Sequence, residues 1–422
     1  MTHAEQRTTF FRQSGWLMIA NIGGGVLMWA VHLLNKAIPA SAYGDFGFFL
    51  AVVMLLPTIP LQMVLTQQTA RALATGQTGQ LSGIIRWFLG VATVLWLLGT
   101  VPVLLFQKPL LLHLKMSSPV GLWVTLPVVL LSLWLPMFWG MLQGQQNFLW
   151  LGWSMLGNGI GRFTVAIIAV LLLHAYAAGL MAGVLLGIGL AVGLGAWQTR
   201  GLWLISPQRF DGRGLLRQVI PLLLAFLGFQ ILFTADTIFV KNYFSGDVAG
   251  FYVSAGTLSR ALMWLVLPLA SVMFPRLVHS AAKSQKTNLM SLVLLGTAIL
   301  SILGAVGLSL LGPWVVRFMF KHEFVKVASS ILPWYASAMV PLALANVLLN
   351  NLLARPDSKL GLSLCVLGIA LAYMFALTQF HAQLTSVLKT LGISNLVLLA
   401  VCAWFSRNAK PEPLPGAERA PA

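Results

Sequence analysis

The chain has 422 residues, 58% of them hydrophobic and only 8% charged, against about 25% charged in an ordinary soluble protein. A water-soluble fold of this length cannot hide that much apolar surface. The net charge of +17 is scattered through short loops instead of gathered in one stripe, which speaks for loops facing anionic lipid and against nucleic acid as a partner.

Apolar segments of roughly 20 residues, enough to cross a hydrocarbon layer about 30 Å thick as a helix, recur from Ser14 to Trp404. Stretches such as AAGLMAGVLLGIGLAVGLGAW lack the alternation of a barrel strand. The expected fold is therefore all-α and integral to a membrane. Hydropathy places about twelve transmembrane helices, at 14–37, 43–68, 84–107, 121–143, 148–174, 176–199, 217–241, 248–274, 288–312, 328–352, 359–380 and 384–404. The first run, SGWLMIANIGGGVLMWAVHLL, is too long for a signal h-region and has no small-residue cleavage site after it, so it reads as a retained helix. Cys365 and Cys402 both fall inside apolar spans, so no disulfide framework is expected.

Breakers mark where the inner helices are expected to bend: NIGGG at 21–25, Pro57 and Pro60, Pro221 and Pro268. Gly179, Gly183, Gly187, Gly189 and Gly193 form a small-residue pattern that suits close helix packing better than ligand contact. The tail SRNAKPEPLPGAERAPA is expected to be disordered.

The chain repeats itself. A shift of 206 positions lays LLNKAIPASAYGDFGFF over FVKNYFSGDVAGFYVSA, so that Gly44 meets Gly250 and Phe46 meets Tyr252. Six helices per repeat is an even number, so both repeats enter the membrane in the same orientation. The expectation is two parallel six-helix lobes, 1–199 and 217–404, around a central cavity, with an axis along the membrane normal. A basic connector, 200–216, joins them, and the tail is 405–422.

With the N-terminus inside, sixteen Lys and Arg fall on the cytoplasmic side and eight on the other, which favours cytoplasmic placement of both termini. Two more, Arg162 and Arg260, fall inside spans. Of nine acidic residues, Asp236 alone sits deep in a helix. A buried unpaired anion is costly. Lys241 lies five positions on, about 140° round the helix, out of i,i+4 reach. The partner of Asp236 is thus expected from elsewhere, from Arg260 or Arg162.

Two readings of these charges stand open. In the plainer one they are ion pairs that fix helix register, and Lys36 and Lys241 snorkel to the interface. In the functional one, Arg162 and Arg260, with planar forks suited to phosphate oxygens, join Lys36 and Lys241 in a basic cavity for an anionic headgroup, and Asp236 is a coupling or ion-pairing group. Signatures of soluble enzymes are missing: there is no P-loop, HExxH, GxSxG or Cys/His metal spacing. No catalytic residue, metal or cofactor is expected, and ATP-driven transport would need a partner protein.

ADTIFVKNYFSGDVAGFYVSAGTLSRALMWLVLPLASVMFPRLV, from Ala235 to Val278, resembles the seventh and eighth helices of polysaccharide-type flippases in the MOP superfamily. AYGDFGFFLAVVMLLPTIPLQMVLTQQTAR resembles the matching part of the first lobe. The first helix departs from relatives with deep arginines by having no basic residue in its span before His32. The resemblance implies movement of an undecaprenyl-pyrophosphate-linked glycan across a bacterial inner membrane for O-antigen, lipopolysaccharide or exopolysaccharide assembly. It implies Arg162, Asp236 and Arg260 in the central cavity and Lys36 and Lys241 near its outer mouth. H+ and Na+ are both candidate coupling ions, and a monomer in company with glycan-assembly proteins is expected. The competing readings are a cation-coupled multidrug exporter, which calls for an acidic or aromatic cavity, and a glycan polymerase or ligase, which calls for a large outer loop.

Overall fold

The computed structural model describes residues 3–116, 118–282, 289–354 and 359–408. The tail from residue 409, Lys283, Lys286 and Arg355 lie outside the described residues, as do the side chains of Arg7, Arg12, Pro268 and Arg276.

Among the described residues every regular element is helical. The first half comprises α1 (His3–Ala30), α2 (Ala40–Met54), α3 (Thr58–Thr75), α4 (Thr78–Leu105), the short α5 (Gln107–His113), α6 (Val120–Gly144), α7 (Phe148–Ile167) and α8 (Tyr176–Gln198). A single turn, α9 (Arg200–Trp203), leads into the second half: α10 (Gly212–Tyr243), α11 (Gly246–Ala282), α12 (Leu289–Met319), α13 (His322–Ala354), α14 (Lys359–Gln379) and α15 (Leu384–Asn408). Eleven segments of described residues are long and apolar enough to cross a membrane. The 37-residue α11 occupies the place of the remaining expected span.

The breakers divide into those that interrupt a helix and those that do not. The second span is split into α2 and α3 at Pro57, because proline lacks an N–H and keeps the preceding residue out of helical geometry. Pro60 sits in the first turn of α3, where an N–H has no intrahelical partner to lose. At NIGGG the helix is not interrupted, and α1 runs on to Ala30. Gly24 serves close contact: a Cβ there would lie 2.7 Å from the Met155 carbonyl oxygen. The chain tightens later, in the 3-10 segment Val31–Ala37. α10 likewise continues through Pro221. In α8, Gly183 and Gly187 face the backbone of α7 at Arg162 and Asn158, as the small-residue pattern predicts, whereas Gly193 faces open space.

Within the first half, α7 packs on α1 and α8, and α6 on α3 and α8. Within the second, α13 packs on α11, α12 and α15, and α10 on α14. The seam between halves is chiefly α2 against α11 and α10. The connector is pinned to the first half, since Arg86 donates to the carbonyls of Trp203, Leu204 and Ile205, and Gln208 N–H donates to Gly79 O.

The seam carries the offset of 206 in its contacts. A Cβ on Gly44 would lie 2.9 Å from the backbone nitrogen of Gly250, its repeat-mate. A Cβ on Gly47 would strike the side chain of Val253, again its repeat-mate. Lys115 Nζ donates to Phe244 O at 3.2 Å, and its mate Lys321 donates to Ile38 O, the mate of Phe244, at 2.7 Å. Residue i touching j while j's counterpart touches i's is the mark of a two-fold relation. The axis passes between α2 and α11. All these contacts lie at the end of the bundle away from the chain termini, here called the far end, where they pack the two halves together.

Candidate functional site

Asp236 is fully buried in α10. Its Oδ1 accepts from Arg260 Nη2 of α11 at 2.7 Å. Its Oδ2 accepts from the hydroxyl of Tyr252 at 2.8 Å and from that of Tyr335 on α13. Arg260 is equally engaged: Nε donates to Phe233 O at 2.9 Å, Nη2 also donates to Thr237 Oγ1 at 2.8 Å, and the rings of Phe233 and Tyr335 lie 5.6 and 5.4 Å from the guanidinium carbon. The cluster is a buried ion pair with its polar atoms matched, which makes it tolerable in an apolar medium. Buried Tyr373 of α14 lies in its electrostatic field, and its hydroxyl has no hydrogen-bond partner among the described residues.

Arg260, and not Arg162, is thus the partner of Asp236. Arg162 belongs to the first half, on α7, packed against Gly183 and Gly187 of α8. Among the described residues its guanidinium has no carboxylate partner, and its Nε is buried without a hydrogen bond. It lies within electrostatic range of His32. The His32 ring shares a hydrogen bond of 2.7 Å, through Nδ1, with the hydroxyl of Tyr43, which stands 3.4 Å from Thr257 Oγ1 on α11 in the other half.

Lys241, expected at the outer end, does not snorkel: it is 1% exposed and paired with Asp45 of α2, Nζ to Oδ1 at 2.5 Å. The reason is tertiary, since α2 brings a carboxylate from the other half against the end of α10. Lys36 is exposed, and its Nζ donates to Phe318 O at 2.6 Å. Of the five residues singled out, then, the fold unites Asp236 and Arg260, and no bond links either to Arg162, Lys36 or Lys241.

Three residues of these arrangements escaped the sequence reading: Asp45, Tyr252 and Tyr335. Asp45 stood at a span edge, where a carboxylate passes for solvated. The tyrosines offered a signal, because the chain has only six and a buried hydroxyl needs a partner; Tyr43, Tyr252, Tyr335 and Tyr373 are all buried. The repeat gives no such hint, for Ala30 and Met54 stand where Asp236 and Arg260 would be mirrored, and Gly368 mirrors Arg162. Among the described residues no group of His, Cys, Asp or Glu is placed to hold a metal. Cys365 and Cys402 are free.

Several solved structures share this fold. An inward-facing multidrug resistance MATE family transporter of the MOP superfamily superposes with a TM-score of 0.67 at 14% identity, covering 91% of this chain and 94% of that one. The lipid II flippase MurJ, in an inward closed conformation, gives 0.63 at 16% identity over 95% and 88%. A MATE transporter of Vibrio cholerae gives 0.61 at 15% identity over 95% and 98%. No curated protein matches the sequence. The model of one family, described as polysaccharide biosynthesis protein, matches residues 10–281, well over half of the chain. With the helical architecture of MOP-superfamily transporters around an asymmetric set of intramembrane charges, the chain belongs to the polysaccharide biosynthesis protein family.

Proposed function

We propose that the protein flips an undecaprenyl-pyrophosphate-linked oligosaccharide across the bacterial inner membrane, both termini cytoplasmic, for assembly of a cell-surface polysaccharide such as O-antigen or exopolysaccharide. One observation carries the reading: Asp236 and Asp45 are spent on Arg260 and Lys241, which leaves Arg162, among the described residues, as an intramembrane cation without a carboxylate partner. A site with that balance attracts an anion, and a guanidinium fork suits phosphate oxygens. An organic cation would need a free carboxylate, and neither acid is free.

The mechanism follows from the same charges. The headgroup enters from the cytoplasmic end while the far end is shut, and Arg162 takes the pyrophosphate. The polyprenyl tail stays in lipid. Rocking of lobe 1–199 against lobe 217–404 then separates α2 from α11, breaks the Asp45–Lys241 pair, and presents Lys241 and Lys36 to the departing headgroup. Asp236 is the coupling group: taking up H+ or Na+ there loosens its hold on Arg260, which is then free to bind phosphate or reset the carrier.

The test is translocation of a fluorescent undecaprenyl-pyrophosphate oligosaccharide in proteoliposomes, with wild type and Arg162→Ala at matched insertion. Transport by wild type and its loss in the variant are expected. A wild type that moves no lipid-linked sugar yet exports an organic cation overturns the reading.

A further inference from the structure

At the end of the bundle that carries the termini, a cavity of about 340 Å³ opens between the halves, within the size range of small-molecule sites. Gln68 and Arg71 reach it from α3, Gln77 and Gln80 from the start of α4, and Gln218 from α10. The spacings of three and four residues put each set on one helix face, so three faces converge on the space. Leu81, Ile84 and Leu215, all buried or nearly so, form an apolar floor, and the ring of Phe210 closes one side.

We infer that this cavity is a carbohydrate-binding subsite that takes an uncharged sugar unit through glutamine amides, with a C–H face of the pyranose on the floor and Phe210. It deepens the flippase reading and rests on it. The lining decides the ligand class. Arg71 and Asp211 cancel in formal charge, so no basic excess selects a diphosphate here. Glutamine amides both donate and accept, as sugar hydroxyls do. Among the described residues, the amides of Gln68, Gln77 and Gln80 make no hydrogen bond to protein, while Gln218 reaches Gln67 across the seam at 2.7 Å. A ligand here touches both halves, so it senses their separation. The glycan would thereby be read apart from the pyrophosphate, which Arg162 takes deeper in the span.

The test is saturation-transfer NMR on the full chain in phosphatidylethanolamine and phosphatidylglycerol nanodiscs. The probes are N-acetylglucosamine, glucose, galactose and rhamnose, each with and without inorganic pyrophosphate. The expected result is transfer to ring C–H protons of at least one sugar, unaffected by pyrophosphate. Binding weakens about tenfold in Gln80→Leu/Gln218→Leu, which deletes two amide contacts, and is unchanged in Gln383→Leu at the far end. Gln77→Leu is the second variant, in case the double one folds poorly. Transfer equal in all variants, transfer abolished by pyrophosphate, or no transfer to any of the four sugars overturns the assignment. The flipping assay keeps the two readings apart: lipid-linked sugar moved without sugar binding here removes the subsite alone, and sugar bound without flipping removes the transport reading.

Discussion

Asp236 and Arg260 hold each other in a place where neither could stay alone. Removing one partner of a buried pair leaves an uncompensated charge and costs about 3–5 kcal/mol. Asp236→Asn is therefore expected to lower the thermal unfolding midpoint in detergent sharply. Asp236→Asn/Arg260→Gln should lose much less than the sum of the single changes, with a coupling of up to about 3 kcal/mol; additive losses would mean that the pair contributes nothing. Arg162→Ala makes the contrast, because among the described residues that guanidinium has no carboxylate partner to orphan. Its midpoint should stay close to wild type, within about 1 kcal/mol of stability, while transport is lost, and a large loss of stability would recast Arg162 as a brace. Sequence alone exposed these three residues, since a charge within an apolar run needs a reason. It could not choose between Arg162 and Arg260 as partner, nor see that Asp45 and Lys241 meet, because each pairing depends on which helices pack together.

At the scale of the element, α2 and α11 form the main seam between the halves, and glycine sets how closely they approach. A Cβ on Gly250 would lie 2.0 Å from the Ala40 carbonyl oxygen, a clash with backbone that no rotamer change relieves. Gly250→Leu should therefore wedge the far end open without touching a charge. The measurement is the labelling rate of Ala249→Cys by a membrane-impermeant maleimide in a Cys365→Ser/Cys402→Ser background. Ala249 is 1% exposed in the shut form, so labelling should be slow alone and many-fold faster with Gly250→Leu. Equal rates would show that α2 and α11 do not gate that end. The repeat reading had paired Gly44 with Gly250 by offset, yet an offset is silent on contact; that the mates touch each other follows only once the axis is located between these two helices. The bends were less legible, because glycine and proline permit a kink without requiring one. Pro57 breaks its helix, whereas NIGGG and Pro221 do not.

For the whole molecule, the all-helical, many-span architecture was legible from hydropathy, and the eleven candidate spans among the described residues agree with it. Orientation rests on the excess of Lys and Arg at the end that carries the termini. The eight cations at the far end look like an argument against that bias until their contacts are seen. Lys36, Lys115 and Lys321 each donate to a backbone carbonyl in the other half, and Lys241 meets Asp45. Half of the far-end cations therefore have a structural role in joining the halves, which gives those positions a reason apart from orientation. The placement this predicts is direct. In the same cysteine-free background, Leu112→Cys at the far end, 80% exposed, should react with an impermeant maleimide on intact spheroplasts. Gly201→Cys, beyond α8 at the end that carries the termini, should react only after the membrane is permeabilised. The reverse pattern would put the termini outside and make the glutamine-lined cavity an exit. Labelling of both sites before permeabilisation would mean that the insertion is not uniform and that the charge asymmetry does not decide it.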